Sequence, residues 1–222
     1  MSFKVNPLFI FVITFISNFS CVWAMEDYFV DDDNFNLETE RFRLRLLRPE
    51  DAADMFEFTS NPDVVKYTGL FELHKNIDET KAWLEEHINR YKNNNYDIIW
   101  SILDKDTNNA IGFCGFEECS TRDSKAELGY AVNHKYWKMG VATEAAQKVI
   151  DFGFNVLELN RIWATYDPRN IASGKVLKKC NLVQEGLLRQ LYFFNGEYVD
   201  RVMLGILRKE YLAKQNADSS NN

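Results

Sequence analysis

The stretch from Lys125 to Phe154 constrains the fold of this chain more than any other segment, because it joins a strand pattern, a glycine turn and a helix pattern. Lys125–Val132 is a short apolar run rich in residues that favour strands. Gly140 ends an aperiodic loop, and from Val141 onward apolar residues recur at helical spacing. Successive N–H groups converge where a glycine turn enters a helix, so this arrangement predicts a site for an anion such as a phosphate.

The segment around this turn, AELGYAVNHKYWKMGVATEAA, closely resembles the acetyl-CoA site of the GNAT acetyltransferases. It is most similar to their ribosomal-protein N-acetyltransferase branch, the RimJ/RimL type. In the superfamily the loop reads Gln/Arg-x-x-Gly-x-Gly/Ala; Gly140 and Ala142 match it, and Trp137 stands in the first position, as is familiar in that branch. Lys138 and Met139 separate Trp137 from Gly140, so one usual glycine is missing. We expect this loss to stiffen the loop without removing backbone donors.

The order of the elements predicts an α+β fold. Periodicity gives a strand, two helices, three strands, a helix, a strand, a helix and two strands. Asn195-Gly196 joins the last two strands and is a type I′ hairpin signal. The resemblance, which spans about residues 37–212, implies a GNAT-like mixed, mostly antiparallel twisted sheet flanked by helices. It also implies that the sheet is splayed between strands 4 and 5, expected at 125–132 and 160–166, where acetyl-CoA enters.

Composition excludes some classes of function. The net charge of −7 argues against a nucleic-acid-binding protein, which would carry a basic field, and it suits a cationic substrate such as an amine. The three histidines and four cysteines show no spacing typical of metal ligands, so we predict no metal. The sequence leaves open whether the chain is a monomer or a homodimer.

The first residues of the chain have the pattern of a secretory signal. One positive charge precedes the apolar run PLFIFVITFISNF, and Ala24 offers the small residue at which a signal peptidase would cut. We therefore divide the chain into a signal-like or membrane-anchor leader (1–24), an acidic linker (25–36), the GNAT domain (37–212) and a disordered tail (213–222). A start at Met25 would give a cytoplasmic protein, whereas use of the leader would give an exported or membrane-anchored one, in which only residues 1–24 contact the membrane.

The resemblance implies acetyl-CoA as co-substrate and direct acetyl transfer without a covalent enzyme intermediate. Pantetheine would pair with the edge of the splayed strand, which would also donate an N–H to the oxyanion, and the pyrophosphate would bind the N–H groups of the loop. Arg169 and Lys175 either meet the nucleotide phosphates or belong to the plain surface. The residues implied in co-substrate binding are Tyr130, Ala131, Val132, Trp137, Lys138, Met139, Gly140, Val141, Ala142, Thr143, Asn170 and Ser173.

Two residues are candidates for catalysis. Glu127 lies on the strand beside the expected thioester and is the best general base, unless it is a salt-bridged surface glutamate; Glu117 is the reserve. Ser173 is the candidate to protonate or position the leaving thiolate. Many GNAT enzymes use a tyrosine on this helix as the acid, but the matching position here is Leu177. The cysteines 114, 119 and 180 are expected in the core rather than as nucleophiles.

These observations predict an acetyl-CoA-dependent N-acetyltransferase that acts on a primary amine, either a protein N-terminal α-amine or a small amine. An α-amine, with a pKa of about 7.7–8.0, needs only a weak base. The alternatives are a polyamine or antibiotic amine acetyltransferase, since FFNGEY (193–198) resembles polyamine acetyltransferases, and a CoA-binding module without turnover. Four aromatic residues either line the acceptor cleft or pack in the core: Phe58, Tyr67, Phe71 and Trp83.

Overall fold

A computed structural model describes residues 35–92 and 97–220 of the chain. The expected leader at 1–24 lies outside the described residues. The strands are Leu37–Glu38 (β1), Phe42–Leu46 (β2), Ile98–Asp104 (β3), Ala110–Ser120 (β4), Lys125–Val132 (β5), Arg161–Tyr166 (β6), Val183–Phe194 (β7) and Glu197–Leu207 (β8). The α-helices are Ala52–Thr59 (α1), Pro62–Val65 (α2), Ile77–Lys92 (α3), Val141–Asn155 (α4), Ile171–Lys179 (α5) and Arg208–Ser220 (α6), with short 3-10 turns at Pro49–Asp51 and His134–Tyr136.

The strands form one sheet in the order β1-β2-β3-β4-β5-β6-β8-β7. Neighbouring strands are antiparallel except β5 and β6, which run parallel and pair over only three residues. The expected mixed, mostly antiparallel α+β fold is therefore confirmed. The expected strands 4 and 5 are β5 and β6, because the short strand β1 was not anticipated. The backbone at Asn195 and Gly196 has φ of 49° and 83°, as a type I′ turn between β7 and β8 requires.

The sheet is covered on both faces, and each face has its own hydrophobic core. One core packs the apolar stripe of α4 against the sheet, and it includes Leu128 and Val132 of β5. The other core contains α1, α2 and α3 together with Ala131 of β5. Because side chains alternate along a strand, β5 contributes to both cores. Side chains of β5 therefore point to both faces of the sheet at the place where the pairing with β6 ends.

The structure corrects the expected ends of the domain. Phe35, which we assigned to an acidic linker, is 1% exposed, and its carbonyl oxygen accepts a hydrogen bond from Trp100 Nε1 at 2.7 Å. The core of the domain therefore begins before residue 37. At the other end, α6 continues to Ser220, so a disordered tail from 213 does not describe this segment. Tyr211 anchors α6, because its ring stacks on Phe154 with 4.9 Å between the centroids.

Strand β4 is also longer than its apolar run indicates. The apolar run ends at Phe116, but β4 continues to Ser120 and carries Glu117 and Glu118. Pairing with β5 sustains the extension, since Glu117 lies opposite Glu127. Among the described helices, none combines the length and the apolar character that a membrane crossing requires.

The burial of Phe35 gives a test of the domain boundary. We expect Phe35→Ala to lower the free energy of unfolding by about 3–5 kcal/mol, because it leaves a cavity beside Trp100 and Phe152. Denaturant titration measures this change. Phe193→Ala is the matched control, since Phe193 is 65% exposed and its removal should change stability by less than about 0.5 kcal/mol. Equal effects of the two substitutions on the free energy of unfolding would mean that Phe35 belongs to the linker and not to the core of the domain.

Candidate active site

The end of the parallel pairing between β5 and β6 creates a cleft in the sheet. The last paired residues are Glu127 and Trp163, and beyond them Leu128–Val132 has no partner on the β6 side. Residues of β4, β5, β6, α5 and β8 line the cleft, together with the turn that contains Tyr67 and Leu70. The free edge of β5 is the edge along which we expect the pantetheine arm to bind, through Tyr130, Ala131 and Val132.

The predicted phosphate loop continues directly from this edge. Trp137 Nε1 donates a hydrogen bond of 2.8 Å to the carbonyl oxygen of Val132, which ties the loop to the end of β5. Gly140 is the N-cap of α4 and has φ of 83°, a left-handed conformation that favours glycine. A glycine cap offers no side chain to the first-turn amides of Val141, Ala142 and Thr143, so these N–H groups remain available for the anion that the sequence predicts here. Lys138 and Met139 complete the loop, and Lys138 is also left-handed, with φ of 64°.

Arg41 fixes this loop, and sequence reasoning assigned it no role. Its Nη1 donates to the carbonyl oxygen of Met139 at 2.9 Å, and its Nε donates to Glu144 Oε2 at 2.8 Å. Partial burial would raise the pKa of Glu144, but hydrogen bonds from the backbone N–H and side chain of Arg41 lower it. Arg41 therefore neutralises a carboxylate beside the expected phosphate site. The contacts join residues about a hundred positions apart, so no local pattern indicates them.

Glu127 occupies the last paired position of β5, at the vertex of the splay between β5 and β6. Its Oε1 accepts a hydrogen bond from Thr165 Oγ1 at 3.2 Å. Burial raises the pKa of Glu127 to about 7, and the negative charge of Glu118 adds to this effect. Among the described residues it forms no ion pair, so it is not the salt-bridged surface glutamate of the alternative interpretation. A carboxylate with a pKa near 7 suits general-base chemistry at neutral pH.

Glu117, the reserve candidate for the general base, lies beside Glu127. The two residues are directly opposite across β4 and β5. Burial raises the pKa of Glu117 to about 7, with a further contribution from the charge of Asp97. His87 Nε2 lies 3.9 Å from Glu117 Oε1, and burial lowers the pKa of this histidine. The register between β4 and β5 shifts immediately after the pair, where Glu118 has φ of 49°, a bulge that changes the direction of the strand beside the cleft.

The first turn of α5 forms the opposite wall of the cleft. Asn170 is its N-cap, and its Oδ1 accepts a hydrogen bond of 3.2 Å from the backbone N–H of Ser173. Gly174 lets the helix lie directly on the ring of Tyr166, because a Cβ there would meet that ring at 2.6 Å. Ser173 and Leu177 both border the cleft, and Leu177, which is 1% exposed, also belongs to the core.

Several other expectations resolve into structural roles. Arg169 pairs with Asp167 and Glu197 instead of standing free for a phosphate, and Lys175 is exposed. Phe58 and Phe71 are buried core residues, whereas Tyr67 lines the cleft. Trp83 packs against His87, with 4.1 Å between the ring centroids.

Cys114 and Cys180 are buried in the core. Burial raises the pKa of Cys180 to about 12 and that of Cys114 well above its usual value, as expected of residues that are not nucleophiles.

Arg201 of β8 is a second residue to which sequence reasoning assigned no role, and it lines the cleft. It is only 3% exposed, and its Nη1 donates to the carbonyl oxygen of Tyr67 at 3.3 Å. Its guanidinium lies 5.6 Å from the ring centroid of Tyr192, and its Nε has no hydrogen-bond partner among the described residues. Burial lowers its pKa, while the negative charge of Asp167 opposes this change. An arginine inside a strand is a weak signal in the sequence, since most strand arginines point to solvent.

Comparison with known proteins identifies the family. Residues 41–183 match the family described as the acetyltransferase (GNAT) domain. The N-acetyltransferase p20 of Bacillus licheniformis, itself uncharacterized, is 35% identical over 175 residues, which are 79% of this chain and 97% of p20. The chain belongs to the GNAT acetyltransferases. As a GNAT enzyme it is an N-acetyltransferase, with the acetyl-CoA donor that is typical of the family.

Two solved structures resemble this GNAT acetyltransferase over most of its length. The spermidine N-acetyltransferase of Vibrio cholerae, solved in complex with CoA and spermine, is 25% identical with a TM-score of 0.68, and the match covers 78% of this chain and 99% of that one. The ribosomal-protein-S5-alanine acetyltransferase of Vibrio fischeri is 22% identical with a TM-score of 0.69 over 79% of this chain and 98% of that one, which shows the fold alone. Within the part of the chain that the structure describes, no group of His, Cys, Asp and Glu side chains could hold a metal ion.

The contacts of Arg41 predict its contribution to co-substrate binding. We expect Arg41→Ala to weaken CoA binding by about tenfold, equivalent to about 1.4 kcal/mol, because the loop loses its tether and the carboxylate of Glu144 is left unpaired beside the phosphates. Isothermal titration calorimetry with CoA measures the affinity. Arg43→Ala is the matched control, since Arg43 pairs with the exposed side chain of Glu38 on the same edge of the sheet, away from the loop. If the Arg41 variant binds CoA with unchanged affinity, the assignment of the phosphate site to this loop is wrong.

Proposed function

We propose that this enzyme transfers the acetyl group of acetyl-CoA directly to the primary amine of a small cationic molecule. The observation that carries the proposal is the pair of carboxyl groups, Glu117 and Glu127, side by side at the vertex of the splay. Glu118 lies next to them on the same wall. Carboxylates in a partly buried cleft attract protonated amines and hold a second ammonium group of the same molecule.

In this proposal Glu127 is the general base. An alkylamine such as a lysine side chain has a pKa of about 10.4, so nearly all of it is protonated at neutral pH and cannot attack a thioester. Glu127, with a pKa of about 7, is ionised above that pH and accepts the ammonium proton directly or through a water molecule. The neutral amine then attacks the acetyl carbonyl carbon. A backbone N–H on the free edge of β5 stabilises the oxyanion that forms.

The co-substrate would follow the path from the edge of β5 to the loop before α4. The pantetheine arm pairs with the backbone of Tyr130–Val132, as an added strand does, and Asn170 and Ser173 border it from α5. The pyrophosphate binds the N–H groups from Met139 to Thr143 at the N-terminus of α4. This path places the thioester beside Glu127, where β5 and β6 separate.

The relatives support an amine acceptor, and they leave two classes of amine in competition. The Vibrio cholerae relative is a spermidine N-acetyltransferase, and polyamines such as spermidine are small cations. The RimJ/RimL interpretation of the loop favours the second class, a protein N-terminal α-amine. One observation supports it: the buried guanidinium of Arg201 lines the cleft with an unpartnered Nε, and it would suit the carbonyl oxygen next to a peptide α-amine. We rank this class second, because three carboxyl groups line the same cleft.

An acceptor panel tests the proposed function. We expect 1,4-diaminobutane and spermidine to be acetylated with a kcat/KM at least tenfold above that of butylamine, because the second ammonium group meets the unused carboxylates; a tenfold difference corresponds to about 1.4 kcal/mol. Thiol release from acetyl-CoA measures the rate, and mass spectrometry identifies the product. A preference for a peptide with a free N-terminal alanine would favour the second class. CoA binding without transfer to any acceptor would support the CoA-binding module instead.

The raised pKa of Glu127 predicts a pH dependence. In the wild-type enzyme, kcat/KM for a diamine should rise as pH increases through about 7, because the carboxyl group must lose its proton to act as a base. In Glu127→Gln the rate depends on amine that is already neutral, so the rise should move toward the pKa of the amine. The loss should therefore be largest at and below pH 7, about a hundredfold or more, and should shrink at high pH.

A matched substitution separates this effect from a general change in charge. Glu85→Gln removes the same charge from an exposed position on α3, and its pH profile should match that of the wild type. Identical profiles for the wild type and Glu127→Gln would remove Glu127 as the base. Glu117→Gln would then be the next variant to measure.

A further inference from the structure

We infer that the hydroxyl group of Tyr130 receives the leaving thiolate of CoA as a hydrogen-bond donor, and that Ser173 positions it. This inference rests on the proposed acetyl transfer. It assigns a role to the side chain of Tyr130, in addition to the pairing of its backbone with the pantetheine arm. The step is the breakage of the C–S bond of the tetrahedral intermediate. Its electron pair goes to sulfur, and the anion that forms needs a donor within reach.

The contacts of Tyr130 place its hydroxyl group on the far side of the cleft. Its Oη lies 2.9 Å from Ser173 Oγ and 3.1 Å from the carbonyl oxygen of Ser173. Tyr130 stands on the unpaired part of β5, whereas Ser173 stands in the first turn of α5. The phenol therefore spans the gap between the strand edge and the helix, and both side chains line the cleft.

The alternation of side chains along β5 separates this hydroxyl group from the proposed base. Gly129 faces Leu70, on the side of α1 and α3, and Glu127 shares that face because the two residues are two positions apart. Tyr130 instead packs against the core on the side of α4 and α5. A thioester at this edge would have the amine and Glu127 on one face of the strand and Tyr130 on the other. Glu127 would then assist formation of the C–N bond from one face of the strand, and Tyr130 would assist breakage of the C–S bond from the other.

The surroundings of Tyr130 suit a hydrogen-bond donor. Burial raises the pKa of Tyr130 well above its usual value, although the hydrogen bond with Ser173 opposes this change. The hydroxyl group therefore keeps its proton throughout the working range of pH. A hydrogen bond from such a group to an anion is stronger than one between neutral groups, since the anion charge assists it. The thiolate takes up its proton from solvent as CoA leaves, and the proton released by the amine leaves through Glu127.

The role of Ser173 follows from its two contacts. Asn170 Oδ1 accepts a hydrogen bond from its backbone N–H at 3.2 Å, which fixes the first turn of α5. When the Tyr130 O–H turns toward sulfur, the Ser173 O–H is placed to donate to the phenol oxygen. Ser173 is then a positioning residue for Tyr130 rather than the acid itself. The nearest apolar neighbour along the helix face, Leu177, is buried and has no proton to give.

The test uses CoA alone and therefore needs no acceptor amine. We expect the thiol of enzyme-bound CoA to have a lower pKa than that of free CoA, followed as thiolate absorbance in the ultraviolet against a desulfo-CoA complex as blank. Tyr130→Phe should raise the pKa of the bound thiol by about one unit, which corresponds to a roughly tenfold smaller ionisation constant of the bound thiol. Ser173→Ala should raise it by less. CoA affinity, measured by calorimetry in each variant, shows whether the shift in the thiol pKa is accompanied by a change in binding.

The control removes a phenol hydroxyl group outside the cleft. Tyr211 Oη donates to Asp151 Oδ1 at 2.8 Å, between α6 and α4, and Tyr211→Phe should leave the thiol pKa of bound CoA unchanged. Thermal unfolding of each variant confirms that it is folded. A bound thiol with the same pKa in the wild type and Tyr130→Phe overturns the inference, and it does so whether or not any amine is acetylated. If the pKa moves but no amine in the panel reacts, the proposed acceptor fails and the thiolate site stands.

Discussion

The structure depends on a parallel pairing that stops after three residues. Strands β5 and β6 are joined from Lys125 to Glu127, and then they separate although each stays paired with its other neighbour. Along Leu128–Val132, the backbone groups of β5 that face β6 are therefore left without partners in the sheet, which is costly in a closed core and useful beside a ligand. It also places Glu127 at the vertex and opens room for Tyr130 on one wall. A longer pairing would close the cleft and remove the site.

Charge is divided between the two ends of the site. At the N-terminus of α4, amides of the first turn converge, and Arg41 neutralises the nearby carboxylate of Glu144, so this end favours an anion. At the vertex of the splay, burial raises the pKa values of Glu117 and Glu127 to about 7, and in our proposal this end binds a protonated amine and accepts its proton. Partial burial is expensive for a carboxyl group, which is consistent with a functional rather than a structural role.

The sequence predicted the elements well where their pattern is local. The apolar spacing after Gly140 gave α4, and the short runs on either side gave β5 and β6, because a helix face and a buried strand each leave a period in the chain. It failed at the ends of elements. Glu117 and Glu118 look like loop residues, yet pairing with β5 keeps them in a strand. Phe35 follows an acidic stretch, yet its ring and carbonyl oxygen complete the core around Trp100.

The sequence alone determined the family resemblance, the α+β order of elements, the glycine turn at the start of α4 and the two candidate side chains Glu127 and Ser173. These rest on neighbouring residues, whose periodicity and turn chemistry act within a few positions. Only the tertiary structure decided that Glu117 lies beside Glu127, that Arg41 holds the loop at Met139, that Arg201 enters the cleft and that Tyr130 meets Ser173. Each of these joins distant segments through strand register or helix packing, and the energy of such contacts depends on burial that no local pattern records.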